Sequence, residues 1–96
     1  MQGGIHMQLA DYIGKTDFDL IHFSISLAKE IDCKIKNKVF FYQNQVSSYI
    51  NDRIDHFIHT LHVKRALGYI YRIEILKMLK PKLDVLFEKH HLLSCV

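Results

Sequence analysis

Between Asp52 and His62 the chain concentrates side chains that can bind metals, hold phosphate or move protons: Asp52, Arg53, Asp55, His56, His59 and His62. Helical spacing would set Asp52, His56 and His59 on one face, with Asp55, His59 and His62 forming an overlapping row. Carboxylate and imidazole at that spacing suit zinc or another transition metal. One helix rarely supplies a full shell, so Glu30, Glu74, His22, His90 or His91 would have to complete it. Histidines facing solvent or a subunit contact form the simpler reading, in which the chain carries no metal and no other cofactor.

Arg53 and His59, with five residues between them, resemble the Arg-x4–6-His motif of the all-helical HEPN ribonucleases. The resemblance implies a phosphate-binding Arg53 and an RNA-cleaving His59 at a dimer interface, although Ile54 replaces the polar residue that commonly follows the arginine. His59-Thr60-Leu61 resembles the His-Thr-Leu of histidine-phosphotransfer domains, which are four-helix bundles. That resemblance implies an exposed His59 accepting phosphate from an aspartate. His62 and Val63 stand where a lysine and a glycine would be, and Gly68 falls one place short of the later small residue.

The element expected to carry these residues runs from Gln45 to Leu79, without proline and with Gly68 as its one glycine. Val46, Ile50, Ile54, Phe57 and Leu61 make one apolar stripe at helical pitch. Val63, Leu67 and Ile70 start a second on the face that carried Asp52, His56 and His59. The rotating apolar face favours a helix kinked or continuous through Gly68, since glycine weakens a helix without forbidding it. Tyr49, His56, His59, Val63, Leu67 and Ile70 are then the expected interface residues.

Before this element, Phe18, Leu20, Ile21, Ile25, Leu27, Ala28, Ile31 and Ile35 spread over about half of a helix expected to span 17–36, a sector wide enough for two neighbours. Gly14-Lys15-Thr16 is not a P-loop, because Leu9 stands where its first glycine belongs. Thr16 or Asp17 is instead the expected N-cap. Lys34, Lys36 and Lys38 suit a helix C-terminus. Val39–Tyr42 has strand chemistry but no second strand to pair with, so it is assigned to the start of a second helix, 39–62. Pro81 should end a helix of 63–80 and open another of 82–92.

These elements make one all-α domain over 1–96, a bundle of three or four helices, with 1–7 read as a cloning remnant. An apolar fraction of 49% is high for 96 residues, and a single long middle helix would leave more surface than one chain can cover. The expectation is a protein–protein interaction or regulatory module that forms a homodimer or binds another protein, and that binds rather than catalyses. Net charge is only +3, which argues against a strong nucleic-acid footprint. Even so, Tyr42, Tyr49, Tyr69 and Tyr71 with Arg53, Lys64, Arg65 and Arg72 could contact nucleic acid by stacking and phosphate pairing. Cys33 and Cys95 lack metal or disulfide spacing, so reduced thiols and a cytoplasmic location are expected. No apolar run approaches the ~18 residues of a membrane span.

Overall fold

The computed structural model describes the backbone of residues 2–94 and the side chains from Asp19 to Ser94. Three helices follow in order: α1 (Gln2–Lys36), α2 (Gln43–Thr60) and α3 (Arg65–His90). The all-α expectation holds. Along α1, Leu20, Ser24, Leu27, Ile31 and Ile35 are buried at successive spacings of helical pitch. Ser24 is tolerated there because its hydroxyl donates to the Leu20 carbonyl at 2.8 Å. Val46, Ile50 and Ile54 of α2 and Tyr71, Ile75 and Leu79 of α3 complete the core.

Contacts at the helix ends define the directions. Tyr49 and Arg53 reach Glu30 while Phe57 stacks on Phe23, so α2 runs antiparallel to α1. His90 meets Asp32, and Lys82, Val85 and Leu86 lie along Ile25, Ala28 and Asp32, which makes α3 parallel to α1. The bundle is therefore up-down-up.

Four boundaries differ from the expected ones, each for a physical reason. α1 passes through Gly14–Asp17, so there is no helix end for the cap expected at Thr16 or Asp17, whose side chains lie outside the described residues. The side chains of 1–7, assigned to a cloning remnant, and the whole of Cys95 lie outside them too. Val39–Tyr42 is neither strand nor helix. Lys38 adopts a left-handed φ of 63° that ends α1, and Gln45 then anchors the start of α2 by accepting from the N–H groups of Phe41 and Tyr42. Tyr42 makes one isolated parallel bridge to Leu93.

The middle helices are not continuous through Gly68. The chain reverses at Leu61–Lys64, where His62 takes a left-handed φ of 54°. The shift of apolar phase that suggested one helix with two sets of partners is resolved in part by this hairpin, which turns the first stripe and Val63 and Leu67 of the second toward one core and leaves Ile70 exposed. Leu61, Val63 and Leu67 pack against that core. Gly68 lies buried inside α3, where an added Cβ would sit 3.1 Å from the Ile58 side chain, so its role is close approach of α2 and α3.

Nor does Pro81 divide the last helix. It is exposed inside α3, while Ile75, Leu79, Leu83 and Leu86 keep one helical stripe facing the core across it. Interior proline costs a helix ~3 kcal/mol; the continuous packing on both sides offsets that penalty. None of the helices, among the described residues, is long and apolar enough to cross a membrane.

Candidate functional site: a basic cleft between α2 and α3

Reversal of the chain at His62 brings the end of α2 beside the start of α3 and leaves a cleft between them of about 850 Å³. His59 and Asp55 enter from α2, His62 and Lys64 from the turn, and Arg65, Tyr69 and Arg72 from α3. Arg72 pairs with Asp55 and also donates to the Asn51 side-chain oxygen at 3.3 Å. Lys64 and Arg65 are exposed, and no carboxylate pairs with either among the described residues. The first turn of α3 contains no acid and Lys64 supplies no side-chain cap, so positive charge at this corner is left unopposed.

Residues singled out in the sequence are thereby sorted onto separate faces. Arg53 does not join His59. It turns toward α1, with its guanidinium 3.3 Å from Glu30 and stacked 5.9 Å from the centre of the Phe23 ring. His59 instead lines the cleft, its ring centre 6.4 Å from that of His62. Asp52 and His56 are exposed. Among the described residues no three His, Cys, Asp or Glu side chains come together in a way that could hold a metal ion.

Of the possible interface residues, Tyr49 is half-buried and donates to Glu30, and Phe40 packs against its ring with centres 5.3 Å apart. Burial pushes the Tyr49 phenol above its ordinary range, and the adjacent Glu30 carboxylate adds to the effect. Val63 and Leu67 are also half-buried, whereas Ile70 is exposed along with His56 and His59. The Tyr/Arg set divides similarly: Tyr71 is fully buried, while Tyr69 stands in the cleft beside Lys64, Arg65 and Arg72.

A further surface includes Ile70 of the expected interface but was not anticipated as a stripe with Ile73 and Leu76. On the side of α3 away from Tyr71, Ile75 and Leu79, the side chains of Tyr69, Ile70, Ile73 and Leu76 are 64, 45, 49 and 39% exposed. Its signal was present in the sequence as a helix apolar on both sides, since Tyr69, Ile73 and Leu76 share one helical stripe and Tyr71, Ile75 and Leu79 another.

No protein-family model matches this chain, and comparison with curated proteins and with solved structures likewise finds no match.

Proposed function

We propose that this chain is a small helical interaction module that associates with a second copy of itself through the outer stripe of α3. The observation that carries the reading is the row of Tyr69, Ile70, Ile73 and Leu76, left in water although the opposite face of the same helix fills the core. Charge placement supports a second copy in antiparallel orientation. A twofold axis beside residues 74 and 75 would set Ile73 against Leu76 of the other copy and bring Glu74 near its Lys77. Those two residues already pair within the helix at 3.6 Å and can exchange partners. A parallel arrangement would set Lys77 against Lys77.

Four half-exposed side chains per copy support a dimer of roughly micromolar to hundred-micromolar strength rather than an obligate one. Light scattering across a concentration series should show a monomer giving way to a dimer, and Ile73→Glu should abolish the rise without lowering the melting temperature measured at concentrations where the wild type is monomeric. A wild-type chain that stays monomeric at every concentration would overturn the proposal.

A further inference from the structure

The basic groups of the cleft between α2 and α3 offer a chemistry that self-association does not use; Tyr69, at the end of the α3 stripe, is the one residue the two surfaces share. Five basic or ionisable nitrogen-bearing side chains, His59, His62, Lys64, Arg65 and Arg72, converge on it from two helices and the intervening turn. The one carboxylate in the lining, Asp55, is already taken by Arg72. Elsewhere acids stand beside some of the bases: Lys36, Lys89 and His90 share Asp32, Lys77 has Glu74 and Lys80 has Asp84, whereas Lys29, Lys34, Lys38 and Lys82 have no carboxylate partner among the described residues. What sets this cleft apart from the smaller one lined by Lys36, Lys38, His90 and His91 is that two adjacent cations without a carboxylate partner, Lys64 and Arg65, stand beside an exposed tyrosine, whereas Lys36 and His90 are held by Asp32.

We infer that this cleft binds a nucleoside polyphosphate. Arginine and lysine side chains pair with phosphate oxygens as charge-assisted donors, and the imidazoles can add further N–H donors. Several phosphates in a row match several converging cations better than a single carboxylate does. Tyr69 lines the same cleft with 64% of its surface exposed, and it presents an aromatic face on which a base can stack. A volume of about 850 Å³ is within the range of small-molecule sites.

The test is titration of isotope-labelled protein with adenosine triphosphate at low ionic strength, following backbone amide shifts. It is run on the wild type and on Ile73→Glu, so that failure of the self-association reading and failure of this one are told apart. Shifts should concentrate in residues 59–72. Joint replacement Lys64→Ala with Arg65→Ala should weaken binding at least tenfold, whereas Lys29→Ala with Lys82→Ala, an equal loss of charge outside the cleft, should leave it within twofold. Tyr69→Ala should weaken the nucleotide severalfold and leave inorganic triphosphate unchanged. The inference is overturned if shifts scatter over all basic residues or if the two double variants behave alike. It is equally overturned if a single-stranded oligonucleotide fills the cleft while the nucleotide does not bind.

Discussion

The two ends of the bundle handle positive charge in opposite ways. At the end where α1 and α3 finish, Asp32 gathers Lys36 at 3.4 Å, Lys89 at 3.8 Å and His90 at 2.7 Å. The chain beyond α3 is fastened to the start of α2: Gln43 donates from its backbone to Leu93 and from its side chain to Leu92. At the other end, where α2 turns into α3, one carboxylate serves Arg72 and nothing comparable serves Lys64 or Arg65. At the first end one carboxylate serves three partners, while Lys38 and His91 stay exposed beside them. At the second, Lys64 and Arg65 face a cleft with no carboxylate partner among the described residues.

Substitution of Asp32 should therefore produce the largest change among the charged residues. Asp32→Ala leaves Lys36, Lys89 and the His90 ring without their shared acceptor and is expected to cost about 1–2 kcal/mol in urea unfolding. Acid should reproduce part of that loss. The hydrogen bond from His90, with Lys36 and Lys89 nearby, holds the Asp32 carboxyl below the ordinary aspartate range despite partial burial. Its contribution is complete above the unfolded-state value of about 4, and it fades as pH falls from there through the lower folded-state value. Unfolding midpoints compared on the two sides of that window should move less in Asp32→Asn than in the wild type.

A smaller effect is expected from the left-handed residues. Lys38, His62 and His91 each close a helix at φ values of 63, 54 and 53° without being glycine. His62→Gly should stabilise the fold by about 0.5–1 kcal/mol by removing the cost of that conformation. If His62 contributes to the cleft as inferred, the same variant should bind nucleotide more weakly, so that stability and affinity separate. At the bottom of the scale, Asp55→Ala should change stability by no more than about 0.5 kcal/mol, because the Asp55 carboxylate is largely exposed. It should tighten nucleotide binding by freeing Arg72. An Asp55 variant as damaging as the Asp32 variant would erase the contrast between the ends.

Much of the core could be read from residue spacing alone. Val46, Ile50 and Ile54 are buried where their helical stripe put them, as are Leu20, Leu27, Ile31 and Ile35. The bounds 39–62 and 63–80 fall close to the observed break between α2 and α3, but whether the chain reversed there or ran on through Gly68 could not be read, because the signal for reversal is a left-handed histidine. Composition points instead to Gly68, whose glycine answers a packing need. Pro81 misled for the converse reason: a strong local helix breaker is overruled when apolar residues on both sides of it continue into the same core. The cleft residues were each visible as basic or aromatic, but only the hairpin turn brings Lys64, Arg65 and Tyr69 beside His59. It also leaves Arg53 on the side of α1, away from the histidine it was paired with in sequence.

Self-association through α3 is tested most directly by mixing two charge variants and following them by sedimentation velocity. Ile73→Glu alone and Leu76→Lys alone should each sediment as monomers. Their equimolar mixture should form a heterodimer, because the antiparallel twofold sets the new glutamate against the new lysine. A mixture as monomeric as its components, alongside a wild type that still dimerises, would contradict the pairing of α3 with itself.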